Sequence, residues 1–234
     1  MHDKRDNCII MLADAPEPGK INYELKTALG EERSLHVSRD LLSRAYCLAK
    51  TFKAATILIS YEKTPAHQDL TWLDAEDPGF LDARGSAPGE QLTTAFSLAF
   101  NAGAKKALFL SHLSPVVKEE WLSQAFEAAD EKTISLGRNQ DGSFYLLAFT
   151  RNNLKIINGI SPGNPNNAEE LLDQAKKAGL AVFTAPETFA VKTEETMRKW
   201  LESKKKESPA FAAPAAVEEA GARPAKSHKA PERQ

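Results

Sequence analysis

A chain of 234 residues, 42% hydrophobic and 26% charged, is long enough for one sizeable buried core and cramped for two. That balance argues against wholesale disorder and against a membrane-embedded protein. A formal net charge of −2, with Lys and Arg scattered along the chain, leaves no basic footprint for nucleic acid. The two cysteines, Cys8 and Cys47, offer no metal or disulfide pattern and read as free thiols. The mixed-charge start Met1–Asp6 does not read as a signal peptide, and no apolar stretch reaches the length of a membrane span. A reducing, cytoplasmic setting is the expectation.

The apolar run Cys8–Ala13 predicts a buried strand, closed by Asp14-Ala15-Pro16-Glu17-Pro18-Gly19, a loop whose two prolines oppose helix. Leu35, Ser38, Leu41, Leu42, Ala45 and Leu48 recur at helical spacing across 34–52, and the β-branched run 55–60 then predicts a second strand. After a polar connection through Pro65 and Pro78, a helix is predicted over 89–101, with Leu92, Ala95, Phe96 and Ala99 on one face. A strand follows at 107–111, a helix at 118–129, and strands at 133–136 and 144–149. A Gly/Pro/Asn-rich loop over 158–167 leads to a helix at 168–178, a strand at 180–184 and a helix at 194–203. Strands separated by amphipathic helices predict a three-layer α/β/α fold with a mostly parallel central sheet covered on both faces.

From Lys204 the chain turns Lys/Glu/Ala/Pro-rich, with Phe211 and Val217 nearly its only large apolar residues. It cannot bury enough surface to offset ordering entropy. The expected organisation is a domain over 1–203 and a disordered tail over 204–234, whose basic end, 222–234, could dock a protein partner.

Ligands of open α/β sheets bind outside the carboxyl ends of the strands. The informative segments are therefore 14–25, 111–115, 137–145 and 189–193. In order, the chain carries Pro16-Glu17-Pro18-Gly19-Lys20, Leu29-Gly30, Gly89-Glu90-Gln91-Leu92, Ser114-Pro115 and Asp141-Gly142-Ser143-Phe144-Tyr145. Together these resemble the bacterial radical-SAM/selenodomain-associated glycosyltransferases, over roughly residues 8–200. The resemblance implies the GT-A, nucleotide-diphospho-sugar transferase type of fold, with Pro18, Gly19 and Lys20 on the nucleotide side.

Departures from the family pattern fall on charged positions. Asp14, Asn22, Glu24 and Gln91 stand where the family shows cationic phosphate-side residues, and Lys20 alone remains. On the metal side, the implied carboxylate of Gly-Thr-Asp-Ser-Pro is Leu113. Those of Asp-Val-Asp-Thr are Ala190 and Lys192. A hard cation wants oxygen ligands, which Leu, Ala and Lys side chains lack. No cofactor is expected, and Mg²⁺ or Mn²⁺ only where other residues rebuild the site. Setting Glu24 in place of a guanidinium exchanges attraction for repulsion, each on the order of 4 kcal/mol for a close pair at an effective dielectric of about 20. Lys192 could itself stand where the metal did.

Two readings are open for Asp141: contact with an acceptor, or formation of the Asp-Gly turn between strands. His112 reads as a structural histidine, and Trp72, Trp121, Trp200, Phe96 and Phe100 as packing rather than base-stacking platforms. The expected function is a glycosyltransferase-like protein that is catalytically degenerate and acts as a binding or interaction module. The alternative is an active glycosyl- or nucleotidyl-transferase with an atypical, metal-independent site built from Lys20, Asp141 and Lys192. A nucleotide sugar and a protein are the partners to test; nucleic acid and membrane are not expected.

Overall fold

The computed structural model describes residues 6–207 except Asn22 and Gly85. The phosphate-side position Asn22 and the predicted tail from residue 208 on, with Phe211, Val217 and 222–234, lie outside the described residues.

Seven strands form one sheet: β1 (Asn7–Ala13), β2 (Thr56–Tyr61), β3 (Leu81–Asp82), β4 (Lys106–Leu110), β5 (Thr133–Asn139), β6 (Phe144–Thr150) and β7 (Ala181–Thr188). The helices are α1 (Tyr23–Leu29), α2 (Glu31–Thr51), α3 (Pro88–Asn101), α4 (Glu119–Ala128), α5 (Asn167–Lys177) and α6 (Glu194–Glu207). Strand order is β3-β2-β1-β4-β6-β5-β7. β6 runs antiparallel to both neighbours, and every other pairing is parallel. The exception has a local cause: only Gln140–Ser143 separate β5 from β6, far too few residues for a parallel crossover. Gly142, at φ +81°, makes the reversal.

Alternation along β1 divides the core. Ile9 and Met11 face Leu42, Ala45 and Tyr46 of α2 together with Leu122 and Phe126 of α4. Cys8 and Ile10 face the opposite layer, where Phe96 and Phe100 of α3 meet Phe149 of β6 and Leu171 of α5. Both faces of the sheet are therefore covered, as the apolar runs predict. A third apolar cluster joins Leu25 of α1, Leu41 of α2, Val191 of the segment after β7 and Trp200 of α6, with Leu113 packed against it.

Several elements differ from expectation. The first loop contains a 3₁₀ turn at Pro18–Lys20, since a proline in the first turn sacrifices no hydrogen bond. α1 was hidden because Leu25 is its only fully buried side chain, and β3 because it has two residues. A further 3₁₀ stretch, Arg151–Ile157, follows β6 and buries Asn153, Ile156 and Ile157. β7 continues through Pro186 to Thr188, which the sheet tolerates because β7 is its edge. α6 extends to Glu207, so the residues from Lys204 that were assigned to the tail are helical that far.

Burial pushes the Cys8 thiol pKa up to about 11, whereas Cys47 is exposed on α2. In the native protein one thiol per chain should react rapidly with an aromatic disulfide reagent, and two after denaturation; rapid reaction of both in native buffer would contradict the buried placement of β1.

Candidate functional site

β5 is antiparallel to β6, which is antiparallel to β4, so the carboxyl ends of β1, β2, β4, β5 and β7 share one edge of the sheet. The segments after β1, β4, β5 and β7 consequently meet there. The Val191 N–H donates to the Leu113 carbonyl at 2.7 Å, tying the loop after β4 to the one after β7.

A cleft of about 240 Å³ opens at this edge, lined by Asp14, Lys20, Arg39, Trp72, His112 and Leu113 among others. Its first wall is the loop after β1. Glu17 holds that loop to the segment after β2: its carboxylate accepts hydrogen bonds from Thr64 and, at 3.0 Å, from His67 Nδ1. These two bonds depress the Glu17 pKa. Lys20 Nζ lies 2.5 Å from Glu62 Oε2, and this bond raises the Lys20 pKa against the opposing effect of partial burial. The retained lysine thus enters the cleft already paired with a carboxylate.

Arg39 of α2 is a cation that the loop motifs do not reveal. It lines the cleft and makes no hydrogen bond or ion pair among the described residues. Its sequence signal lies in the helix: Ser38 and Leu42, four residues apart, also line the cleft, and Arg39 borders that face. His112 is half-buried. Burial lowers its pKa, opposed by the charge of Asp14 and a backbone hydrogen bond at Leu12. Trp72 lines the cleft while packing near Tyr61 and edge-on to His67, so the packing role expected of it is kept alongside an exposed face. Trp121 rests near Tyr145, and Trp200 is buried in the third cluster.

Other phosphate-side positions are not drawn together. Pro18 and Gly19 are exposed on the outer side of the 3₁₀ turn and do not line the cleft. Glu24 is exposed in the first turn of α1, pointing to no repulsion within the cleft, and Gln91 donates to the Ser86 carbonyl at 3.0 Å. Glu90, its neighbour, reaches back to the Ala87 N–H. Gly89 is required for packing: a Cβ there would come 2.8 Å from the Ile160 carbonyl oxygen.

The metal-side positions do converge. Leu113 is half-buried against Val191, Leu25 and Trp200, and Ala190 is buried. Lys192 Nζ sits 2.5 Å from Asp141 Oδ2 and donates to the Gly163 carbonyl at 2.9 Å. Behind the pair runs a relay of short side chains. Ser114 Oγ donates to Asn139 Oδ1 at 2.9 Å, Asn139 Nδ2 to Ser143 Oγ at 3.0 Å, and Ser143 Oγ to Asp141 Oδ1 at 2.6 Å. Burial tends to raise the Asp141 pKa, but its bonds with Lys192 and Ser143 outweigh that and hold it below the ordinary value. Asp141 also accepts from the Ser143 N–H at 3.0 Å, so it forms the turn as well as binding the lysine. Asn139 was not singled out in the sequence, and Ser143 was named only as part of the Asp141–Tyr145 motif; both are buried polar residues beside the β5–β6 turn, which only the fold makes evident.

The fit of a divalent metal can be tested on these donors. Among the metal-side positions Asp141 supplies a carboxylate, and an ammonium already occupies it. Among the described residues, no group of three or more His, Cys, Asp or Glu side chains could hold a metal ion. The residues present do not fit Mg²⁺ or Mn²⁺. No helix among the described residues is long and apolar enough to cross a membrane.

The profile of a bacterial family described as "Uncharacterized protein conserved in bacteria (DUF2064)" matches residues 47–164, just over half of the 234-residue chain. No curated protein matches the sequence. Among solved structures, the fold is similar to a protein of Desulfovibrio desulfuricans G20 provisionally described as a nucleotide-diphospho-sugar transferase. That match has TM-score 0.68 and 23% identity over 80% of this chain and 83% of the other. A nucleotidyl transferase from Methanothermobacter thermautotroptrophicus matches with TM-score 0.58 and 11% identity, over 86% of this chain and 99% of that one. The 4-diphosphocytidyl-2C-methyl-D-erythritol synthase of Anaerococcus prevotii DSM 20548 matches with TM-score 0.56 and 10% identity, over 85% and 96%. At these identities the likeness is one of fold: a mostly parallel α/β sheet of nucleotide-diphospho-sugar transferase type.

Proposed function

The chain belongs to this DUF2064 family, and from that premise we propose that it is a metal-independent binding module for a nucleoside diphosphate or its sugar ester, degenerate for glycosyl transfer. The observation that carries the reading is the pairing of Lys192 with Asp141 beside an apolar Leu113. A transferase must stabilise the charge that grows on a departing diphosphate, a task for cations placed in advance. Here Asp141, the carboxylate beside the altered metal-side positions, is neutralised by Lys192, and the cleft's own lysine is tied to Glu62.

Binding remains supported. Arg39, without an ion pair among the described residues, presents a guanidinium suited to two phosphate oxygens, and Trp72 and Leu42 give an apolar wall for a base or sugar face. About 240 Å³ is less than the roughly 300–1,000 Å³ of pockets that enclose a whole small ligand. Only part of a nucleotide would be covered, so modest affinity is expected. The rival reading, an active metal-free transferase built from Lys20, Asp141 and Lys192, needs these groups free to act, and Lys20 is paired with Glu62. Asp141 is committed to Lys192, and no observation favours this second role.

Calorimetric titration with UDP, CDP, ADP and GDP and their sugar esters tests the proposal. At least one should bind, and Arg39→Ala should weaken it about tenfold, the loss expected when a charge-assisted hydrogen bond of roughly 1.5 kcal/mol is removed. Equal binding by the variant, or sugar transfer at catalytic rates, would overturn it.

A further inference from the structure

The Lys192 side chain is held unusually well for a lysine at a surface edge. Only 15% of it is exposed; its ammonium is clasped between the Asp141 carboxylate and the Gly163 carbonyl, and the carboxylate is fixed by Ser143. Two of three donor protons are used, by oxygen atoms of the kind a hard cation selects. The third has no partner among the described residues. The backbone on either side is equally constrained: Val191 N–H binds Leu113, and Lys192 N–H donates to Thr196 Oγ1 at 3.1 Å in the capping turn of α6. A single positive charge is therefore built into the place where the turns after β5 and β7 meet.

We propose that the Lys192 ammonium is a resident cation that substitutes for a divalent metal at Asp141, leaving its third proton for an anionic ligand oxygen. That the ligand is anionic rests on the function proposed above; the substitution for a metal does not, and it can be read without any nucleotide. Replacing the lysine by aspartate would bring a second carboxylate toward Asp141 and the Gly163 carbonyl, all hard oxygen donors.

The experiment is Mn²⁺ titration of the full chain, without nucleotide, following free Mn²⁺ by electron paramagnetic resonance and folding by thermal melting. Wild type and Lys192→Met should show no stoichiometric binding. Lys192→Asp should bind one Mn²⁺ per chain at least about tenfold more tightly than wild type, because hard-cation affinity follows carboxylate count. The double variant Asp141→Asn/Lys192→Asp should return to the wild-type level. Should Lys192→Asp fail to melt cooperatively, Lys192→Asn supplies a neutral oxygen donor and should show a smaller gain abolished by the same Asp141→Asn change. A folded carboxylate or amide variant with no gain, a gain that survives loss of Asp141, or tight Mn²⁺ binding by wild type would each overturn the inference. Absence of nucleotide binding in every variant would instead count against the proposed function alone.

Discussion

Phe149→Ala should lower the free energy of unfolding by about 3–5 kcal/mol, the range for removing a fully buried phenylalanine from a core. Phe149 has no exposed surface; its ring stacks on Phe96 at 4.3 Å between centroids and lies 6.0 Å from Phe100. All three belong to the layer that fixes α3 to the antiparallel strand β6. α3 and β6 are both rigid regular elements, so little collapse into the space is available, and the upper half of the range is expected. Urea unfolding followed by circular dichroism measures it. A loss below about 1 kcal/mol would mean that α3 is not docked on β6 as described.

Leu113→Asp should be nearly as costly, and it should not restore a metal site. The side chain packs against the cluster of Leu25, Val191 and Trp200, and its replacement both removes apolar contact and partly desolvates a carboxylate. Half-burial reduces both terms, so about 2–4 kcal/mol is expected, or a melting point lower by roughly 5–15 °C for a domain of this size. Because Lys192 still occupies Asp141, Mn²⁺ should leave that melting point unchanged. A metal-dependent rise in the variant would show that the site accepts a divalent ion despite the lysine.

The fold was largely legible because its central strands are continuous apolar runs. Ile9 and Ile10 on β1 and Phe144–Phe149 on β6 declare burial on both faces without help from periodicity. Elements whose stability is tertiary were not legible. α1 is held by little more than Leu25, β3 by two residues beside β2, and β5 continues through Gly137, Arg138 and Asn139, which carry no strand signature. Gly137 is explained only by packing, since a Cβ there would strike the Tyr145 ring at 2.4 Å.

The site divides in the same way. Lys20, Asp14, Leu113, Asp141 and Lys192 stand on loops that end strands, so the topology brings them to one edge. Glu24 and Gln91 are helix residues whose direction depends on a rotation that no motif encodes, and they miss the cleft. Arg39 reaches it for the same reason in reverse. The partners that decide the electrostatics, Glu62 for Lys20 and Gly163 for Lys192, lie 42 and 29 residues away in sequence, where no local pattern connects them.

The most direct test of the central claim is one titration done twice, with the nucleoside diphosphate found to bind, first in excess EDTA and then in Mn²⁺. Metal-independent binding predicts dissociation constants that agree within about twofold once Mn²⁺ complexation by the free nucleotide is allowed for, a difference of roughly 0.4 kcal/mol. Binding that vanishes in EDTA and returns with Mn²⁺, accompanied by turnover of a sugar ester, would contradict it.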